Sequence, residues 1–481
     1  MKVFDIFSEI SQIPRESGNE EGIRQYLLEF ARKNKLGSAR DEGGNIFLYA
    51  QADKGYENYE SICLQAHMDM VCVKTPESNH NFLTDPIKLV REGDTLRAED
   101  TSLGADNGIG MAIMLALMTD KTYKHGPLEG VITYSEETGM NGAFSIQSEY
   151  VKSKYLINLD SEEDGIIYIG CAGGADIIAE RQFTHEKTEP GWDAVRLKIG
   201  GLLGGHSGAE IHLQRLNAIS VLARLLYTQV NAGLAFRLVS LNGGTRRNVI
   251  PSEAEALVLF PSLGKKQSVE LMISEFERIK AESSVCDPGL AFSHVCSHCD
   301  QNVCIPSEAL SEKDSVALVS TLLAVPHGVF KYSMTVNGVV ETSDNLAVVN
   351  TEEGLCKVEV SVRSLIDSAR HYLCSIIECG LSDRGFDVTV SGEYPAWTPD
   401  TKSVLAKKIS ELWEKKTGVK PIITSMHAGF ECGILNSRLH LKDSISIGPE
   451  LKDVHSVNEH LSISSTERLY DFLKEFLCLG L

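Results

Sequence analysis

The chain has 481 residues, 46 Lys+Arg against 66 Asp+Glu, and a formal net charge of −20. That length predicts two or three domains, and 43% hydrophobic with 23% charged residues is a globular rather than a disordered or fibrous composition. Such acidity repels phosphate backbones and anionic lipid, and no apolar run reaches the roughly 20 residues of a spanning helix, so neither nucleic acid nor membrane is an expected partner. The opening segment MKVFDIFSEI reads as an amphipathic helix, not as a secretory signal. Twelve Cys are too sparse for a disulfide framework, which leaves reduced thiols in the cytoplasm as the expectation.

From residue 40 to 185 strand-like and helix-like stretches alternate. Strands are expected at SICLQA (61–66), GVITY (130–134) and KYLINL (154–159), with a largely apolar helix, NGIGMAIMLALM, over 107–118. Apolar strands without polar alternation, separated by helices, predict a mostly parallel sheet buried on both faces. From 186 to 393 the texture changes. Strand 195–199, helix 217–230, strands 235–241 and 254–260 and helix 268–280 are followed by strand 290–295, helix 314–323, strands 330–337 and 357–363, helix 368–379 and strand 386–391. That order suggests one strand-helix-strand-strand-helix unit used twice. Residues 394–481 return to the first grammar: helix 402–416, strands 421–424 and 444–447, and a closing helix over 465–477. The predicted fold class is therefore α/β, a helix-flanked parallel sheet interrupted by an inserted α+β domain.

Acidic and imidazole residues gather where the predicted strands end. His67 and Asp69 follow SICLQA and share a face at the two-residue period of extended chain. Asp106 lies in the Gly-rich turn TSLGADNGIG, Glu136 and Glu137 follow GVITYS, Asp160 follows KYLINL, and His455 lies in GPELKDVHSVNE after strand 444–447. Ligands of open parallel sheets bind beyond the carboxyl ends of strands. Singly, each residue reads as a cap, a turn or a surface group. Jointly, five carboxylates in one pocket cannot all stay ionised unless cations occupy it. Two His among them favour zinc over magnesium or calcium, and two ions about 3.5–4 Å apart could share one carboxylate.

Two other motifs carry less. His294, Cys296, His298 and Cys299, with Cys304 beyond, contain the C-x₂-C spacing of a zinc knuckle, but a second pair at matching distance is missing. The run GGLLGG (200–205) lacks the spacing of a dinucleotide fingerprint.

The phrases LQAHMDMVC, ADNGIGMA, SEETGMNGA, GGHSG, HAGFECG and GPELKDVHS resemble, in order and over nearly the whole chain, the M20 family of co-catalytic zinc peptidases, closest to its aminoacyl-histidine dipeptidase branch. The resemblance implies a catalytic domain (1–185 and 394–481) and an inserted lid domain (186–393). It implies two zinc ions per chain, with cobalt or manganese able to substitute. His67 and Asp160 would hold one, Glu137 and His455 the other, and Asp106 would bridge them. Asp69 would orient His67, Glu136 would be the general base, and the Asp106–Asn107 peptide would be cis.

By the same resemblance, a hydroxide generated between the metals would hydrolyse dipeptides, Xaa-His among them, with His206 in GGHSG stabilising the oxyanion. Arg363 and Asn248 would contact the substrate carboxylate and Glu431 its free amino terminus. Small peptides are thus the expected partners, and a homodimer through the lid domain is compatible with the pattern. The rival readings are a hydrolase of N-acyl amino acids or tripeptides, and a peptide-binding relative without catalysis; the presence of Glu136 argues against the latter.

Overall fold

Short runs that are apolar on both faces become the middle of a sheet, because only there is each face covered. In the computed structural model, which describes residues 2–297, 303–352 and 354–481, every residue of strands Ile62–His67 and Leu128–Thr133 is buried. The two strands are parallel, with His67 opposite Thr133. Tyr155–Asn158 continues the sheet in parallel on the other side of Ile62–His67, and Asp443–Ser446 follows, parallel again. Gly37–Arg40 and Ile46–Ala50 are added antiparallel at one edge, while Ile166–Cys171 and Ile422–Met426 complete the other. The four parallel strands therefore finish side by side. A separate four-stranded sheet contains Leu451–Lys452 and His460–Ser462, and the loop between these strands carries His455.

The chain divides into two units. This sheet belongs to the first, residues 1–171, 397–425 and 430–481. Its central helix, Ala105–Thr119, is buried at every position but Asp106, which explains why its sequence has no polar face. The helix packs on Lys2–Ser11, on strand Ile62–His67 and on the closing helix Ile463–Leu479. Glycine is needed at position 110, where a Cβ would overlap the Asn107 side chain and crowd the Leu159 carbonyl.

The second unit, residues 172–396 and 426–429, is built on a nine-stranded sheet. Its elements fall into two halves of identical topology. In one, strand Trp192–Gly200, helix Ala218–Ala232, strands Arg237–Gly243 and Ala254–Pro261, helix Lys265–Glu282 and strand Ala291–Cys296 give the spatial strand order fourth, first, third, second. In the other, strand Gly173–Gln182, helix Glu312–Ala324, strands Val340–Glu352 and Leu355–Ser364, helix Asp367–Ser382 and strand Asp387–Tyr394 repeat that order. The second strands of the two halves pair, Gly243 with Val349, so the sheet runs through both.

The duplication differs from the expected one in its boundaries. Ala291–Cys296 closes the first half rather than opening the second. The second half opens with Gly173–Gln182, whose ten residues pair with both Leu355–Ser364 and Asp387–Tyr394. That strand also carries the crossing between units to Ala172, ahead of the change of texture at residue 186. Phe330–Asn337 is shorter than expected, at Gly328–Tyr332, and the long strand Val340–Glu352 was hidden by its polar residues. Glu341, Thr342, Ser343, Asp344 and Asn345 are all buried.

No helix among the described residues is long and apolar enough to cross a membrane. Of the suspected knuckle, His294 and Cys296 lie on strand Ala291–Cys296, while His298 and Cys299 lie outside the described residues.

Gly110→Ala is expected to destabilise the first unit, because an overpacking cost of about 1–3 kcal/mol exceeds the ~0.5–1 kcal/mol gained in helix propensity. A lower urea midpoint checks this; an unchanged or higher one would show that the helix can shift to make room.

Candidate metal centre

Three strands of the parallel core deliver side chains to the same edge. His67 is the last residue of its strand; Glu136 and Glu137 follow Thr133 in the next. Asp160 stands two residues after Asn158, whose side-chain oxygen accepts the Asp160 backbone N–H at 3.1 Å. His455 comes from the loop after Leu451–Lys452 and adopts a left-handed φ of 61°. That loop's approach to the Asp160 segment requires glycine at 448, where any Cβ would overlap the Ser161 carbonyl.

Asp106 is the hub. One carboxylate oxygen lies 2.9 Å from His67 Nε2 and the other 2.9 Å from His455 Nε2. Asp160 Oδ1 stands 3.4 Å from His67 Nε2, and Glu137 Oε2 stands 3.1 Å from His455 Nε2. The pairs expected from the resemblance, His67 with Asp160 and Glu137 with His455, are thus adjacent, with Asp106 between them. Donor atoms of His67, Asp106 and Glu137 all lie within 4.8 Å of one another.

The surroundings hold this arrangement. Asp69 faces His67 Nδ1 at 3.4 Å and accepts the backbone N–H groups of Glu136 and Glu137 and the Ser17 hydroxyl. The Asp106–Asn107 peptide is cis, and the Asn107 amide donates to the Leu159 carbonyl and to Asp160. Two residues that sequence reasoning missed lie beneath the Gly-rich turn. The Glu459 carboxylate accepts the backbone N–H groups of Leu103, Gly104, Ala105 and Asp106, at 2.8 to 3.4 Å. Arg15, buried, donates to the carbonyls of Met68, Asp69 and Gly104. Glu459 sat within the quoted GPELKDVHSVNE phrase, where a strand-flanking acid gave no sign of its role.

Electrostatics show what the pocket lacks. Burial opposes charge on Asp106, yet hydrogen bonds from His455 and His67 hold its carboxyl well below the usual carboxylate range. Burial carries Asp160 up to about 6 against the pull of His67. Glu136 is pushed well above its ordinary value by burial; His67 opposes this, and Asp160, Glu431 and Glu137 add to it. Although burial disfavours a charged His67, Asp160, Asp106 and Asp69 outweigh it and raise its proton affinity well above normal. His455 rises to about 11 through hydrogen bonds to Asp106 and Glu137. Among the described residues no Lys or Arg pairs with Asp106, Glu137 or Asp160, and buried Glu137 Oε1 has no hydrogen-bond partner. Two imidazoles and three carboxylates, with no Lys or Arg paired to those carboxylates among the described residues, fit a pair of divalent cations.

Other expected residues lie on the second unit. His206 pairs with Val249 across a short two-stranded ladder, and its Nδ1 accepts the backbone N–H groups of Gly208 and Ala209 at 3.1 and 2.9 Å. Those donors place the ring proton on Nε2. Burial and then the Arg363 charge lower the His206 pKa to about 4, so the imidazole is neutral. Asn248 is exposed, and its carbonyl accepts the Ser207 N–H. Arg363 Nη1 donates to the Tyr394 hydroxyl at 2.8 Å, while its buried Nε has no partner. His427, unassigned from sequence, lies 2.7 Å from the Ser343 hydroxyl through Nε2 and is held neutral, at about 3, by burial and Arg363.

Glu431 is the first residue of helix Glu431–Leu439 and is fully buried, with Oε2 accepting from Gln65 Nε2 at 2.6 Å and from Thr133 Oγ1 at 2.7 Å.

Comparison with known proteins agrees with this geometry. A sequence model described as Peptidase family M20/M25/M40 matches residues 63–478. The chain is 37% identical over 476 residues to the cytosol non-specific dipeptidase of Escherichia coli strain K12, covering 99% of this chain and 96% of that protein. The crystal structure of the aminoacylhistidine dipeptidase from Vibrio alginolyticus superposes with a TM-score of 0.92 at 35% identity, covering 100% of this chain and 96% of the other. A tripeptidase from Staphylococcus aureus shares the fold at a TM-score of 0.55 and 17% identity, over 99% and 97% of the two chains.

Because the metal-free pocket raises the proton affinity of His67 and His455, an entering cation must displace protons, and the competition weakens as pH rises. Zinc titration calorimetry in buffers of different ionisation enthalpy is expected to show net proton release and weaker binding at about pH 6 than at about pH 8. Binding without proton release would contradict this account of the pocket.

Proposed function

This chain belongs to the peptidase family M20/M25/M40, and from that membership we propose that it is a metal-dependent dipeptidase whose substrates include Xaa-His dipeptides. The substrate class is supported by identity to a dipeptidase over 99% of the chain and by likeness, at 35% identity, to an aminoacylhistidine dipeptidase. The observation that carries the chemistry is the Asp106 carboxylate, with one oxygen toward each imidazole.

His67 and Asp160 would hold one ion, Glu137 and His455 the second, and Asp106 both. Zinc suits these donors best, with cobalt or manganese as substitutes. When bound, the pair supplies Lewis-acid polarisation of a carbonyl and lowers the pKa of water. The protein supplies the rest. Asp69 fixes the His67 ring through Nδ1, leaving Nε2 as the donor atom. Glu136, whose proton affinity burial has raised, takes the proton of the attacking water and passes it to the departing amine. On the second unit, neutral His206 presents an Nε2–H, the kind of donor a developing oxyanion needs. Arg363, with a free Nε, and Asn248 would bind the substrate carboxylate. The E. coli relative's cytosolic description supports a cytoplasmic setting. The reading also takes the second unit as the surface through which a homodimer would form.

Zinc-loaded protein assayed on Xaa-His dipeptides, N-acetyl amino acids and tripeptides tests the whole proposal. Dipeptide cleavage should dominate; turnover confined to N-acetyl substrates or tripeptides would reject it. Glu136→Gln is expected to retain two zinc ions while kcat falls by about 10²–10⁴. Near-normal turnover would remove Glu136 from the role of base. His206→Ala should lower kcat, by about 10²–10³, without loss of zinc, and loss of metal in that variant would assign His206 to ligation instead.

A further inference from the structure

The buried carboxylate of Glu431 takes no part in the mechanism above, and its surroundings are unusual for a charge. Both of its hydrogen-bond partners, Gln65 and Thr133, are neutral, and Oε1 is buried with no partner at all. A glutamine of the same shape would serve those two donors equally well. A buried charge costs free energy unless an opposite charge compensates it. Among the described residues no Lys or Arg pairs with it; burial pushes its carboxyl up to about 7, with Asp160 and Asp69 adding to the rise and the His67 charge and the Thr133 hydrogen bond opposing it.

Its position is specific. Gln65 lies two residues before His67 on the same strand, and Thr133 is the register partner of His67. Gln65 Oε1 also accepts from Asn158, and Asn158 Oδ1 accepts from the Ser446 hydroxyl and the Asp160 N–H. One polar network therefore ties the four parallel strands together just behind the ligand-bearing ends.

We propose that Glu431 is a positioning residue whose carboxyl, held behind the strand ends by Gln65 and Thr133, contributes negative charge that sets the affinity of the metal centre. This rests on the dinuclear reading given above. Zinc affinity is measured on chelator-stripped protein by competition with a chromophoric chelator, alongside thermal unfolding of the metal-free form. Glu431→Gln is expected to weaken zinc binding by about 10–100-fold, while the metal-free variant unfolds no earlier than the parent. Glu431→Asp and Glu431→Asn have equal length and differ in charge, so the Asp variant should bind zinc more tightly. Zinc affinity of Glu431→Gln equal to the parent's, or equal weakening in the Asp and Asn variants, overturns the proposal. Should Glu431→Gln not fold, the Asp and Asn pair decides. A parent protein that takes up fewer than two zinc ions would overturn the dinuclear reading itself, a result distinct from any difference among variants.

Discussion

Negative side chains crowded at the ends of three neighbouring parallel strands are the constraint on which the rest of this structure depends. Parallel pairing brings His67, Glu137 and Asp160 to one edge, and neither burial nor hydrogen bonding alone makes their proximity tolerable. The Asp106 carboxylate resolves the conflict geometrically by facing an imidazole with each oxygen. Much of the first unit serves to keep it there. Glu459 gathers the backbone N–H groups of Leu103 to Asp106, the next residue, Asn107, donates its amide to Asp160, and Arg15 gathers the carbonyls behind. These contacts spend buried polar groups on fixing one carboxylate, as a metal centre requires of the groups around its ligands.

The second unit shows a different economy. One β-α-β-β-α-β arrangement occurs twice and joins strand to strand, giving a single sheet through both halves. On this unit the charged group is Arg363, and two imidazoles, His206 and His427, are kept neutral by burial and by its field. Neutral donors beside a half-satisfied guanidinium make an environment suited to an anion. It is the electrostatic opposite of the acidic pocket on the first unit.

How much of this was legible depends on whether residues stood near their partners in sequence. Strands such as Ile62–His67 and Leu128–Thr133 declared themselves because covered faces demand unbroken apolar runs. The helix Ala105–Thr119 did so by its length. Val340–Glu352 did not, because five consecutive polar residues in it are buried, and polar runs read as loops. Gly173–Gln182 was passed over, which shifted the repeat by one strand. The partners of Glu431 were illegible for a related reason: nothing in its own segment points to Gln65 and Thr133, which the start of its helix brings to it. Nothing local to Arg15 or His427 marks the carbonyls or the Ser343 hydroxyl they meet.

The amino-acid sequence by itself determined the α/β class, the doubled insertion and the identity of the acids and imidazoles at strand exits. Those follow from short-range physics: periodicity, burial of apolar runs, and the chemistry of each side chain. Only the tertiary structure decided which oxygen faces which nitrogen, that Glu459 and Arg15 fasten the turn before Asp106, and that Glu431 is buried against Gln65 and Thr133. Those facts rest on contacts between residues up to hundreds of positions apart, whose distances are set by strand register and helix packing and leave no local trace in the chain.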